Sequence, residues 1–474
     1  MKIGVPQRVR EARPLVHCIT NFVSMDLVAR GVLAAGARPI MALDAAEAAS
    51  VASGADALVL NIGTWSPALQ EAMRAAGRAA NAKGIPVVLD PVGVGAIPER
   101  TRAIRQLLAE VKVTAIRGNA GEIAALAGYE GLVRGVDSAE DSGASGDGPV
   151  PRTEELAAAV ARRYGCLVAA TGRVDVVSDG TRTLEVRAGH PLMAEIPGAG
   201  CLGAGVLAAA LAAGPVKVET AAEALLWLGF AGEEAARVAK GPGSFPAAYL
   251  DALAAAAALP EGRIAPPLSE RLEVYVIVDG STPPETVKAV LQAGVKAIQF
   301  REKHLPMRDQ IEAAVRIRDL CREAGALFLV DDRVDLAQVV EADGVHLGQT
   351  DLPVEAARRL LGPDAVIGIS CQTPEEARAA ARGGADYIGT GPVYPTTSKP
   401  DASEPCGVEG LAKVVRSVRL PVVGIGGIAP GRVEPVIRAG ACGVSVISAV
   451  SQAPDPGAAA AQLIKEVLQA KGRK

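Results

Sequence analysis

The sequence predicts an α/β protein in two parts, a doubly wound α/β domain followed by a (β/α)8 barrel. Three observations carry this. Strand-like apolar runs alternate with Ala-rich helical segments in both halves. In the second half the strand-then-helix unit recurs eight times, as a closed eight-stranded barrel requires. A polar stretch, Pro260-Glu261-Gly262-Arg263-Ile264-Ala265-Pro266-Pro267, separates the two, and its prolines predict an irregular linker. The expected organisation is therefore a domain over 1–259, a linker over 260–270 and a second domain over 271–474.

In the barrel half the expected strands are 272–279, 297–302, 327–332, 344–349, 366–370, 387–393, 421–428 and 443–450. Helical segments follow them, such as 373–383 and 431–440, and glycines stop the helices. In the first half the expected strands are 15–20, 57–63, 86–91, 114–118 and 166–172. Two more, 174–177 and 183–188, flank Ser178-Asp179-Gly180 and read as a hairpin, giving a parallel core with an antiparallel edge. The polar, Gly/Ser-rich stretch 137–152 predicts a mobile surface loop.

Composition narrows the function classes. Apolar residues make up 49% of the 474, enough for two large cores, while aromatics are only 3%, so Ala and Gly carry much of the packing. The net charge is −4, with no basic cluster to grip nucleic acid or an anionic membrane. Seven cysteines in an odd, scattered set with no CxxC, and four scattered histidines, suggest neither a disulfide scaffold nor a zinc site. The expected compartment is the reducing cytoplasm. The N-terminus has charges and a proline where a signal peptide needs an apolar core. The uncharged stretch 199–216 is mostly Ala and Gly, and predicts a buried helix rather than a membrane span.

In the first half the sharpest motif is Gly198-Ala199-Gly200-Cys201 at the opening of a helix. Small residues allow close approach, and the first amides and the dipole of the helix favour an anion. In the barrel half, polar residues gather where strands end, the place barrels keep their chemistry. Gln299, Arg301 and Lys303 alternate at the end of the second strand and so point to one side. Asp331 and Asp332 end the third, and Asp351 follows the fourth. Separate carboxylates of this kind suit a magnesium shared with phosphates. Thr396, Thr397, Ser398 and Lys399 follow the sixth strand. Gly426-Gly427 ends the seventh and Ile447-Ser448 the eighth, where barrels form a phosphate cradle.

Residues 14–253 resemble the hydroxyethylthiazole kinases, a ribokinase-like family. The motifs are Leu15–Asn21 (LVHCITN), Leu58–Thr64 (LVLNIGT), Leu89–Gly93 (LDPVG), Ala115–Asn119 (AIRGN) with Glu122, Thr171-Gly172, Gly198–Cys201 and Lys240–Phe245 (KGPGSF). The resemblance implies phosphorylation of the hydroxyethyl arm of a thiazole by ATP. It implies ATP contacts from Arg117 and Thr171, and thiazole contacts from Asn21, Met41 and Gly198. It also implies magnesium near Asp90 and Glu122, with Cys201 where ribokinase-like enzymes carry an Asp base. A helix N-terminus can lower a thiol's pKa, so Cys201 is expected to serve as a weak base. Where the family has Thr before the glycine motif, this chain has Pro197. Kinases of this family also imply a homo-oligomer, a trimer through this half.

Residues 272–467 resemble thiamine phosphate synthase. The motifs are Gln299–Lys303 (QFREK), Asp332–Ala337 (DRVDLA), Asp343–Asp351 (DGVHLGQTD), Gly391–Thr396 (GPVYPT) and Gly424–Ile428 (GIGGI). The resemblance implies a TIM barrel that joins an aminopyrimidine methyl diphosphate to the thiazole phosphate and releases pyrophosphate. The pyrimidine diphosphate would be held by Gln299, Arg301, Lys303, Asp331, Ser370 and Lys399. Magnesium would be held by Asp332 and Asp351. The thiazole phosphate would be held by Thr396, Thr397, Ser398, Gly427, Ile447 and Ser448. Asp331 replaces the family's Asn. Together the two resemblances imply a bifunctional fusion acting on small molecules. Two other readings stay open, a thiazole tautomerase barrel, or a first half that binds thiazole without catalysis. Retention of Arg301, Lys303, Lys399 and both magnesium carboxylates favours the synthase. Retention of Arg117, Glu122, Thr171 and Gly198–Cys201 favours the kinase.

Overall fold

The computed structural model describes residues 4–129, 151–396 and 404–473, and the backbone of 133–134 and 137–138. The chain divides into two compact units between Pro267 and Leu268. The stretch 139–150, most of the expected mobile loop, and Thr397, Ser398 and Lys399 lie outside the described residues.

The first unit is built on a nine-stranded sheet. Five neighbouring pairings are parallel, linking Arg38–Ile40, Leu15–Ile19, Ala57–Asn61, Val87–Asp90, Ala115–Asn119 and Leu167–Thr171 in that spatial order. Antiparallel strands Asp175–Ser178, Thr183–Val186 and Ile264–Ala265 extend the other edge. Successive residues of the parallel strands enter opposite cores. Val16, Cys18, Val59 and Val88 face one apolar layer, and Ile19, Leu58, Leu60 and Leu89 the other. Leu15–Ile19 lies between Arg38–Ile40 and Ala57–Asn61, so chain order reverses there. The crevice beyond the strand ends at such a switch is where open α/β sheets bind ligands.

The helix Ala199–Ala212 packs on the central strands and is buried over most of its length. Among the described residues no helix is long and apolar enough to cross a membrane. The stretch expected to be an irregular linker contains Ile264–Ala265, a two-residue strand that closes the sheet edge. Its prolines at 260, 266 and 267 flank the pairing instead of interrupting it, and Arg263 ties it down through Glu233 at 2.7 Å. The edge strand Arg38–Ile40 was not expected either; it is three residues long, includes a proline and is half exposed.

The second unit opens with the short helix Leu268–Arg271 and closes a barrel of eight parallel strands. These are Val274–Val278, Ala297–Phe300, Leu327–Asp331, Gly344–Leu347, Val366–Ser370, Tyr387–Thr390, Val422–Ile425 and Gly443–Val446. All eight fall within the runs expected from sequence. Val274, Val276, Ile298 and Phe328 point outward to the helical layer. Tyr275, Ala297, Leu327, Leu329, Tyr387 and Val423 fill the interior.

Candidate active sites

In the first unit the switch crevice is lined by amides and carboxylates. Asn21, just past the first strand, donates through Nδ2 to Asn61 Oδ1 at 2.9 Å and to Cys201 Sγ at 3.1 Å. Asn61 in turn donates to Asp90 Oδ2 at 2.7 Å. A hydrogen-bonded line therefore runs from the thiol to a buried carboxylate. Gly63 makes room for it, since a Cβ there would sit 2.7 Å from Asn21 Nδ2.

Gly198 caps the helix with φ 93°, a left-handed conformation that favours glycine, and a Cβ on it would strike Ser24. Pro197 is exposed, and the turn forms without its amide. Gly200 belongs to the motif expected to let a ligand approach, and Gly203 follows it one turn on. They admit the Arg117 guanidinium instead, since a Cβ on Gly203 would lie 2.9 Å from Arg117 Nε. That Nε is buried with no hydrogen-bond partner, and the charge of Arg117 is felt by Asp90, Glu122, Asp175 and Tyr249.

Burial dominates the electrostatics here. Asp90 is 2% exposed and its pKa is raised to about 6 by desolvation, against the pull of Arg117 and Asn61. Glu122, 4% exposed, is raised to about 7 by desolvation and by Asp90. Both its oxygens accept backbone amides, from Gly93 at 2.8 Å and Asn119 at 2.9 Å, the latter in a capping box. It is thus engaged in joining two strand-end loops. The Cys201 thiol is pushed up by burial and by Asp90, not lowered as its place at a helix N-terminus suggested. Among the described residues no group of three or more Asp, Glu, His or Cys side chains gathers to cage a metal.

In the second unit a cavity of about 960 Å3 opens at the C-terminal ends of the barrel strands. Gln299, Arg301, Lys303, Asp331, Asp332, Asp351, Ser370, Thr396, Gly427, Ile447 and Ser448 all line it. Its charges pair with one another. Arg301 Nε lies 3.3 Å and Lys303 Nζ 3.6 Å from Asp331 Oδ2, and Lys303 also pairs with Asp332. Burial works against the Lys303 ammonium, but Asp332 and Asp331 hold its pKa above the usual lysine value. Asp351 is raised by burial and by its neighbour Asp332, while the Gly348 amide opposes this at 2.6 Å. Asp332 adopts φ 58°, a left-handed backbone that Asp tolerates better than most residues. Gly426 and Gly427 also have positive φ, 94° and 63°, and a Cβ on either would strike the loop after the sixth strand.

The model of the hydroxyethylthiazole kinase family matches residues 7–258, and that of thiamine monophosphate synthase matches 274–450. The chain is 64% identical, over 99% of its length and 98% of the relative's, to the "thiamine biosynthesis bifunctional protein ThiM/ThiE" of Symbiobacterium thermophilum. The chain belongs to both families. Its first half is 51% identical to a hydroxyethylthiazole kinase of Rubrobacter xylanophilus, over 56% of this chain and 95% of that one. Its second half is 50% identical to a thiamine-phosphate synthase of Moorella thermoacetica, over 42% of this chain and 98% of that one.

In the kinase half the structure brings Asn21, Asp90, Gly198 and Cys201 together, with Arg117 against the same helix. Met41 follows the edge strand and, like Leu27, Ala199 and Cys201, packs against the buried apolar cluster of this unit. Thr171 ends its strand and donates to Gly118 O at 3.3 Å, beside Arg117. Sequence reasoning missed Asn61, the link between Asn21 and Asp90. It also missed Arg100, which ties the Gly63 and Val92 carbonyls at 2.6 and 3.2 Å. A buried Asn ending an all-apolar strand was the available signal for Asn61. In the synthase half it missed Tyr275, Tyr387 and His346, whose polar tips meet inside the barrel. The signal there was two tyrosines and a histidine at strand positions in a chain poor in aromatics.

Proposed function

We propose that this chain carries out two consecutive steps of thiamine synthesis, thiazole phosphorylation and its condensation with the pyrimidine. The reading is carried by family membership of both halves, together with one observation. Every described residue expected at the synthase site lines one cavity at the strand ends of the barrel.

In the kinase half, Arg117 and Thr171 hold ATP, with the Arg117 guanidinium set between the strand end and the glycine helix. Asn21, Met41 and Gly198 shape the thiazole site. The substrate hydroxyl lies at Cys201, whose raised pKa makes it a hydrogen-bond partner more than a base. Phosphoryl transfer tolerates this, because positioning and charge neutralisation supply most of the rate. Asp90 is the better-placed carboxylate for a nucleotide-bound magnesium, since both Glu122 oxygens already accept amides. The charge of Asp90 raises the pKa of the buried Glu122, and two buried acids this near each other suit a nearby cation.

In the synthase half, Asp332 and Asp351 would hold magnesium, because the charge of Asp332 raises the pKa of Asp351 and a divalent cation would relieve this. Bound there, the ion would offset negative charge on the diphosphate. Arg301, Lys303 and Lys399 hold the diphosphate, with Gln299, Asp331 and Ser370 on the pyrimidine side. Thr396, Thr397, Ser398, Gly427, Ile447 and Ser448 hold the thiazole phosphate. The pyrimidine methylene C–O bond breaks, and pyrophosphate leaves with the electron pair. The thiazole nitrogen lone pair then forms the C–N bond. No proton need leave the nitrogen, so no base is required. Arg301 and Lys303 must leave Asp331 and Asp332 in part to meet the diphosphate, so binding exchanges internal ion pairs for substrate pairs.

We place the enzyme in the cytoplasm, where its seven unpaired cysteines stay reduced. We further propose a homotrimer through the kinase half. Phe22 and Val23, 70% and 73% exposed beside Asn21, are apolar side chains that an interface would cover.

The two half-reactions test the reading separately. ADP should form only when thiazole alcohol is present, and pyrophosphate only when thiazole phosphate and pyrimidine diphosphate are combined. Absence of the first would leave the kinase half a binding module. Absence of the second would return the barrel to the tautomerase alternative.

A further inference from the structure

Across the barrel interior a line of polar side chains joins two residues of the cavity wall. Gln299 Nε2 donates to the Tyr275 hydroxyl at 2.7 Å. The Tyr275 and Tyr387 hydroxyls are 2.9 Å apart. Tyr387 Oη is 2.8 Å from His346 Nδ1, and His346 Nε2 is 2.9 Å from Ser370 Oγ. Five side chains from five strands thus form one continuous chain. Gln299, Tyr275, Tyr387 and His346 are at most 9% exposed, while Ser370 is open. The backbone is shaped around it. A Cβ on Gly368 would lie 2.1 Å from Tyr387 Cζ, and one on Gly389 2.9 Å from His346 Cε1.

The direction of the protons follows from the Gln299 contact and from giving each buried proton an acceptor. Each hydroxyl has one proton to give. Tyr275 accepts from Gln299, and its own buried proton finds an acceptor in this line only at Tyr387, so it donates there. Tyr387 then donates to His346 Nδ1, which must be bare, placing the imidazole proton on Nε2. That proton goes to Ser370 Oγ, which leaves the Ser370 proton for the cavity. Burial pushes the pKa of both phenols up, which keeps their protons in place. The two ends therefore present opposite faces, Gln299 Oε1 as an acceptor and the Ser370 hydroxyl as a donor.

We propose that Tyr275, Tyr387 and His346 are positioning residues that set this polarity, and that the polarity selects an amino- over an oxo-pyrimidine. The 4-amino group offers a donor and the ring nitrogen an acceptor, matching the two ends. A 4-oxo ring offers the reverse and would need the whole chain to turn over. This rests on the synthase reading of the barrel.

The test is a calorimetric titration of the full chain with the 4-amino and 4-oxo pyrimidine methyl diphosphates. In Tyr387→Phe the ring stays and the chain is cut, so Gln299 is free to turn its amide. The ratio of the two Kd values is expected to fall at least ~10-fold, while KM for thiazole phosphate stays within about twofold. Tyr275→Phe, cut at the other phenol, should do the same and serves if the first variant does not fold. Equal weakening of both ligands, or an unchanged ratio, would overturn the proposal and leave the chain a packing feature. Failure of the unaltered protein to bind the amino compound would instead sink the synthase reading, and this proposal with it.

Discussion

The kinase half keeps Asp90 and Glu122 buried and leaves the Arg117 Nε without a hydrogen-bond partner. The synthase half keeps cations and carboxylates against one another in an open cavity. In the first, Asp90 and Glu122 bear the cost of desolvation as raised pKa values, and the Arg117 Nε waits without a hydrogen bond. In the second, Arg301, Lys303, Asp331 and Asp332 neutralise each other. The difference follows from architecture. An open sheet forms its site in a crevice beneath a packed helix, so glycines must carve space for each polar group. A barrel mouth is wide and wet, so charges survive there by pairing. The first site should therefore respond to small changes of shape and pH, and the second to changes of charge.

The largest effect separates the two directly. Arg301→Ala should lower synthase kcat/KM by ~100- to 1000-fold through lost stabilisation of the departing diphosphate, with kinase kcat unchanged. Steady-state assays of both reactions on one preparation check this. If both activities fell, the variant would be acting on folding.

Shape comes next. Gly203→Ala puts a methyl 2.9 Å from Arg117 Nε. The guanidinium must move, and misplacement of this kind should cost the kinase ~10- to 100-fold while leaving the synthase and the melting temperature nearly unchanged. An unaltered kinase would show that Arg117 does not act from this position.

A smaller effect concerns pH. Asp90 and Glu122 hold protons more tightly when folded, at about 6 and about 7, than at their ordinary 3.8 and 4.5. Their contribution to stability is thus full below about pH 4 and is lost as pH rises through 6 and 7. In Asp90→Asn the melting temperature of the kinase half should fall less between pH 5 and 8 than in the unaltered chain, by a few °C. Identical slopes would contradict the burial account. The smallest effect is expected at Asp331→Asn, which frees Arg301 and Lys303 from one pairing. KM for the pyrimidine diphosphate should drop about 2- to 5-fold; a rise would mean that the carboxylate's own contact with the pyrimidine outweighs the freeing of the two cations.

Much of this was legible in the sequence, unevenly. The barrel strands were readable because strand and helix alternate with one period and glycines punctuate it. The motif residues at strand ends were readable because barrels concentrate chemistry there, and the cavity gathers those described. The short strands Arg38–Ile40 and Ile264–Ala265 were not, since pairing of two or three residues leaves no periodic trace. The tie from Glu122 to the Gly93 amide was hidden because that partner lies 29 residues back in the chain. The link from Tyr275 through Tyr387 to His346 was hidden too, because it depends on barrel register and not on sequence distance.

The central claim is that one chain performs both steps in succession. The direct measurement incubates it with thiazole alcohol, ATP, magnesium and the aminopyrimidine methyl diphosphate, and follows thiamine phosphate. Product should form, should vanish when ATP is omitted, and should return without ATP when thiazole phosphate is supplied. Product that forms from the alcohol without ATP, or no product even from thiazole phosphate, would contradict the account.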